Sequence, residues 1–129
     1  MTLSGTARQT KNQGEFSGDN FAVMELNSGQ TFMSICDGMG TGKKAWKYSE
    51  IIIDLLEKMI DSGFEESTTL KLANGVMLTG NQWQEPAAVD MALIDQYSGT
   101  CQFLKLGAAC TYVKRGRWVE CIKSTSLPL

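Results

Sequence analysis

The chain has no histidine among its 129 residues, and that absence removes more chemistry than any single residue present adds. A Ser-His-Asp triad, a Cys-His nucleophile pair and a zinc site with imidazole ligands are all excluded within this sequence. The four cysteines, Cys36, Cys101, Cys110 and Cys121, show no C-x-x-C spacing, so neither a zinc knuckle nor a thioredoxin-like redox pair is indicated. Each lies in an apolar segment and reads as a small buried thiol in a reducing compartment. No apolar run approaches the roughly 20 residues that span a bilayer. The start, Met1-Thr2-Leu3-Ser4-Gly5, lacks the basic flank and apolar core of a secretion signal. The expectation is a cytoplasmic location with no membrane contact from this segment. A net charge of −2 gives no reason to favour nucleic acid, and Lys114, Arg115 and Arg117 make only a small basic turn. Repeats, linkers and low-complexity stretches are also missing, so residues 1–129 are expected to lie in a single domain.

With imidazole gone, carboxylates are the natural candidates for chemistry. The chain is organised around Asp37-Gly38-Met39-Gly40-Thr41-Gly42. Before it, Thr31-Phe32-Met33-Ser34-Ile35-Cys36 has the apolar, β-branched and aromatic content of a largely buried strand, which Asp37 is expected to end. After it, residues 43–62 place Ala45, Trp46, Ser49, Ile52, Ile53, Leu56, Met59 and Ile60 at spacings of three and four, the stripe of a helix facing a core. The glycines allow backbone torsions that other residues avoid and let a ligand approach closely. The loop fails as a Walker A motif, which needs glycine where Asp37 stands and Ser or Thr where Lys44 stands. It fails as a dinucleotide fingerprint too, because Lys43 follows Gly42 where that pattern requires otherwise.

Upstream, Leu3 to Lys11 is rich in threonine and small residues and reads as a first strand. Phe21 to Leu26 reads as a second. Asn27-Ser28-Gly29-Gln30 then supplies hairpin turn chemistry into the strand ending at Asp37. With that turn centred on Ser28, Asp19 and Asp37 fall opposite each other at one end of the hairpin. Two carboxylates sharing a site repel, and a hard divalent ion such as magnesium or manganese resolves the conflict. Aspartates before or after glycines are also ordinary turn or capping residues, so spacing alone leaves both readings open.

Gly63 is expected to stop the first helix. A second helix follows Phe64, capped by Ser67 or Thr68, with Leu70, Ala73, Val76 and Met77 as its apolar stripe up to Gly80. Residues 87–94, 101–106, 110–114 and 118–122 read as strands of an antiparallel meander, broken at Tyr97-Ser98-Gly99, Gly107-Ala108 and Arg115-Gly116. Strands, two helices and then strands give an α+β domain with helices packed on sheet. Asp90 and Asp95 read either as supports for a site or as hydrogen-bonded and strand-end aspartates. Trp46, Trp83 and Trp118 read as packing residues.

The motifs Ser17-Gly18-Asp19, Asp37-Gly38-Met39-Gly40-Thr41-Gly42, Asp90-Met91-Ala92-Leu93-Ile94-Asp95, Leu104-Lys105-Leu106-Gly107-Ala108 and Ser124-Thr125-Ser126-Leu127-Pro128, in this order, resemble a known family. They are similar to the phosphatase domain of stage II sporulation protein E, of the PPM (protein phosphatase 2C-like) class of metal-dependent serine/threonine phosphatases. The resemblance covers almost the whole chain. It implies an αββα sandwich with two manganese or magnesium ions at one end of the paired sheets. Asp37 would bridge both ions, Asp19 would bind one, and the backbone carbonyl of Gly38 would bind directly or through water. Also implied are attack by a metal-bound water without a phosphoenzyme and a phosphorylated protein substrate of the anti-anti-sigma kind, in sigma-factor regulation during sporulation.

The family takes further metal-binding aspartates from a later D-G segment and a following strand, and those positions lie beyond Leu129. The expectation is therefore the N-terminal and central portion of such a domain, with a partial ligand set, weak metal binding and little activity alone. An open sheet edge would invite a homodimer. Two further readings stay open: a non-catalytic phosphoprotein-binding module with a phosphatase-like fold, and an oligomerising domain with no metal role.

Overall fold

The computed structural model describes residues 2–9, 17–79 and 88–124. Its organising element is a hairpin of β1 (Ser17–Glu25) and β2 (Gln30–Thr41). Gly29 takes φ 81° at the turn, where its N–H donates to the Leu26 carbonyl at 3.0 Å, while Leu26 N–H donates to the Gln30 carbonyl at 2.8 Å. Only a residue without Cβ adopts that torsion cheaply. The register that follows is Glu25 opposite Thr31, Asn20 opposite Cys36 and Asp19 opposite Asp37.

The rest of the chain builds on this pair. Helix α1 (Lys43–Asp61) packs on both strands, and α2 (Glu66–Thr79) packs on α1 and on β4 (Cys101–Leu106). β3 (Ala88–Asp95) lies antiparallel between β2 and β4, so the sheet order is β1-β2-β3-β4. β5 (Thr111–Arg115) and β6 (Trp118–Ile122) form a separate antiparallel hairpin. The expected four-strand meander is thus divided: β3 and β4 extend the first sheet, and the chain leaves it at Gly107, whose φ is 61°.

Alternation gives the four-stranded sheet two unlike faces. Phe32 and Cys36 of β2, Val89, Met91 and Leu93 of β3 and Leu106 of β4 are buried, together with Tyr48, Ile52, Ile53, Leu56 and Ile60 of α1. Full burial of each such side chain contributes roughly 1.5–3 kcal/mol. The opposite face carries Phe21, Val23 and Ile35, all exposed, with Asp19, Asp37 and Asp90. The β5–β6 hairpin stands over part of this second face. Helices, sheet and hairpin are thus layered in the α+β order expected.

Several local expectations hold and others are corrected. α1 ends in a glycine-terminated cap: Gly63 has φ 88°, its N–H donates to the Ile60 carbonyl at 3.0 Å, and Phe64 N–H donates to the Met59 carbonyl at 3.1 Å. This satisfies carbonyls the helix leaves free. The strand expected over Leu3 to Lys11 does not form within residues 2–9, and Lys11 lies outside the described residues. That stretch has no alternating apolar residues to bury, and its Leu3 is 85% exposed. β2 does not stop at Asp37 but continues to Thr41, because Ser17 pairs with Thr41 and the register shifts between Ser17 and Asp19. α2 begins at Glu66, ahead of both expected caps; Ser67 Oγ instead donates to Glu65 Oε1 at 2.7 Å. Val76 is exposed rather than part of a buried stripe, Leu70 packs partly buried against the core, and Thr69 and Ala73 are the buried positions among the described side chains of α2, which do not include Met77. Of the tryptophans, Trp118 is 80% exposed, so it is no packing residue, Trp46 is half-buried, and Trp83 lies outside the described residues. Only Cys36 among the cysteines is buried; Cys101 is half-buried, and Cys110 and Cys121 are exposed. No helix among the described residues is long and apolar enough to cross a membrane.

Candidate functional site

Asp19 and Asp37 are direct cross-strand partners, on the sheet face turned away from the helices. Directly opposed residues in an antiparallel pair hold their Cβ atoms about 4.5–5.5 Å apart, so two anionic groups are forced together. Partial burial, then hydrogen bonding toward Asp37 and the Asp37 charge, push the Asp19 carboxyl above the usual range, and the Arg8 guanidinium opposes the shift. Arg8 stands at the rim of the site, its Nη1 donating to the Asp19 backbone carbonyl at 3.0 Å. Sequence spacing gave no hint of Arg8, because residues 2–9 join the site without pairing into the sheet.

The turn runs between Asp19 and Asp37 in sequence, and equal strand lengths on either side of Ser28 set them opposite each other. β2 then carries extra residues between Asp37 and Thr41 opposite Gly18, a bulge that holds Gly38 beside the pair. Behind the pair, on the helix side, sits Cys36. Burial, then the charges of Asp37 and Asp19, push its thiol up to about 12. The Tyr48 hydroxyl is also raised, first by burial and then by Cys36. A thiol so buried and so protonated is inert as a nucleophile.

The second face continues inward as a polar cluster. Asp90 faces Lys105 across the β3–β4 ladder. Lys105 Nζ donates to Asp90 Oδ2 at 2.5 Å and to Thr111 Oγ1 at 2.6 Å, and Thr111 Oγ1 donates to Asp90 Oδ2 at 2.9 Å. The Lys105 side chain is only 4% exposed, and these partners offset the cost of burying it. Asp90 is thereby a hydrogen-bonded, ion-paired residue that ties β5 to the sheet. Lys105 was not singled out as a site residue, although centring the β3–β4 turn between Tyr97 and Ser98 places it opposite Asp90. Asp95 is a turn residue: its Oδ1 accepts from Tyr97 N–H at 2.9 Å and Ser98 N–H at 3.2 Å, which hold its carboxyl below the usual range. A cleft of about 940 Å³ between sheet and hairpin is lined by Arg8, Asp19, Ile35, Asp90, Thr111 and Val113, among others.

The donor chemistry at the sheet end is oxygen only: two opposed carboxylates and the Gly38 backbone. Such a set fits a hard divalent ion, whose charge removes the cost of the opposed pair. Among the described residues no further carboxylate, thiol or imidazole joins the pair to make a group of three.

Comparisons with known proteins bear on this geometry. The sequence model of the family described as Stage II sporulation protein E (SpoIIE) matches residues 27–129. Stage II sporulation protein E of Bacillus subtilis (strain 168) is 33% identical over 126 residues, which is 98% of this chain and 15% of that protein. The Priestia megaterium protein of the same name is 32% identical over 98% of this chain and 22% of its own length. The chain thus spans under a quarter of these relatives. The structure of the PP2C phosphatase domain and a fragment of the regulatory domain of the cell fate determinant SpoIIE from Bacillus subtilis superimposes with a TM-score of 0.83 at 33% identity. The match covers 95% of this chain and 36% of that one. The RsbU and RsbW domains of a Mycobacterium tuberculosis protein share the fold, with a TM-score of 0.75 at 18% identity over 94% of this chain and 34% of that one. The chain belongs to the stage II sporulation protein E family, and its fold is that of the family's PP2C-type phosphatase domain.

Proposed function

We propose that Asp19, Asp37 and the Gly38 carbonyl are metal ligands of a protein serine/threonine phosphatase of the PPM class, which hydrolyses a phosphoserine or phosphothreonine on a regulatory protein such as an anti-anti-sigma factor. The observation that carries this reading is the direct cross-strand opposition of Asp19 and Asp37 on an open sheet face. Manganese or magnesium ions, when bound, supply an acidified water and neutralise the charge on the phosphoryl oxygens.

The chain's own residues do the rest. Asp37 and Asp19 present their oxygens from adjacent strands, and the hairpin register fixes their separation. Arg8 adds a cationic group at the rim, matched to an anionic substrate. Cys36 stays protonated and behind the sheet, which argues against a cysteinyl-phosphate route at this site. The absence of histidine leaves no imidazole in this chain for a phosphohistidine intermediate. The substrate reading is supported by the family resemblance rather than by any particular residue.

The test combines binding and turnover. Manganese binding is measured by calorimetry for the wild-type chain and for Asp37→Asn, and release of phosphate from a phosphoserine-bearing protein is followed with manganese in excess. Loss of manganese binding in the variant supports the ligand assignment, and phosphate release by the wild type but not the variant supports the activity. Manganese binding unchanged by Asp37→Asn removes Asp37 from the site.

A further inference from the structure

The β5–β6 hairpin carries two of the chain's cysteines at its open end, and both are exposed. Thr111 pairs with Ile122 and Tyr112 with Cys121. Cys110 directly precedes Thr111, so strand alternation places it on the same hairpin face as Tyr112 and diagonal to Cys121. Hydrogen bonding toward Cys110 leads the causes that hold the Cys121 thiol above its ordinary value. Cys36 is buried behind the four-stranded sheet, and Cys101 is half-buried on β4.

We propose that Cys110 and Cys121 form a dithiol modification site, oxidised to an intramolecular disulfide by exchange with a small-molecule disulfide. The Cys110 sulfur, its proton passing to solvent, attacks one sulfur of the reagent. One S–S bond breaks, one forms, and the first small thiol leaves. The Cys121 thiol then loses its proton and attacks the Cys110 sulfur of the mixed disulfide, expelling the second small thiol. The protein gives up two hydrogens and two electrons, and the reagent is reduced to two thiols.

Geometry permits the closure. Diagonal neighbours in a ladder have Cα atoms about 7–8 Å apart, whereas a disulfide spans at most roughly 6.8 Å. Cys110 precedes the first ladder pair and is not held by it, so an inward shift of about 1 Å suffices. The link would fix the end of β5 that begins with Thr111, whose hydroxyl binds Asp90 and Lys105 and so ties the hairpin to the sheet beside the cleft.

The test treats the full chain with oxidised glutathione, alkylates the remaining thiols after denaturation, and maps peptides by mass. The expected product is lighter by two hydrogens, joins the peptides bearing Cys110 and Cys121, leaves Cys36 and Cys101 alkylated, and reverts with dithiothreitol. Cys110→Ser and Cys121→Ser should each retain a glutathione adduct on the remaining partner instead of closing a bridge. Stable adducts on both cysteines of the wild type, a disulfide-linked dimer, or a bridge that includes Cys101 would each overturn the proposal.

Discussion

Replacing Asp37 by asparagine should change the stability of this protein in opposite directions with and without metal. The substitution keeps the side-chain shape while removing one charge from a directly opposed pair. Two unit charges about 5 Å apart repel by roughly 0.8 kcal/mol in bulk water and about 3 kcal/mol at an effective dielectric constant of 20. Both carboxylates are exposed, so the lower end applies, and relief of about 1 kcal/mol is expected. For a chain of this size that is a rise in Tm of about 3–5 °C. On the proposed ligand assignment manganese works the other way: an ion at a hundred times its Kd would stabilise the wild type by about 2.7 kcal/mol, and a variant lacking one of the two carboxylates would lose most of that increment. The assay is thermal unfolding of both proteins in chelator and in manganese. In chelator the variant should melt higher, and in manganese the wild type should. A variant that melts no higher than wild type in chelator, or that gains as much from manganese, refutes the claim that this pair is a strained cation site.

The same pair sets a pH dependence. Because the folded-state pKa of Asp19 is raised, its contribution to stability without metal is greatest below the unfolded value of 3.8 and is lost as pH rises through the raised one. Asp37→Asn should flatten that slope in acid-range urea titrations. Lys105→Met should cost about 2–4 kcal/mol in urea unfolding by stranding Asp90, and adding Asp90→Leu should recover much of the loss. Ser34 Oγ is buried without a hydrogen-bond partner among the described residues, so Ser34→Ala should raise stability by about 1 kcal/mol in the same assay.

What the sequence disclosed was mostly local. The β1–β2 register followed from a turn centred on Ser28 with equal lengths on either side, and α1 followed from apolar spacings of three and four. The opposition of Asp19 and Asp37 was legible for the first reason. The continuation of β2 past Asp37 was not, because the glycines read as loop and the Ser17–Thr41 pairing that extends the strand is visible only when both ends of the hairpin are placed. The exposure of Trp118, Cys110 and Cys121 depends on which elements cover the β5–β6 hairpin, and an apolar neighbourhood in sequence says nothing of that. Arg8 was missed because the threonine-rich stretch around it suggested a strand, whereas it reaches the site by one side-chain hydrogen bond.

Strand β2 answers to two masters. Its residues Phe32 and Cys36 face the helices, while Ile35 and Asp37, one step out of phase, lie on the opposite sheet face. With the turn at Ser28 held, adding one amino acid between Thr31 and Phe32 would exchange these roles, carrying the Asp37 carboxylate into oil and an aromatic ring into water. Length changes here are therefore tolerable only in even steps, or where a second irregularity restores the phase, and indels along this strand should be counted by parity before any other property is considered.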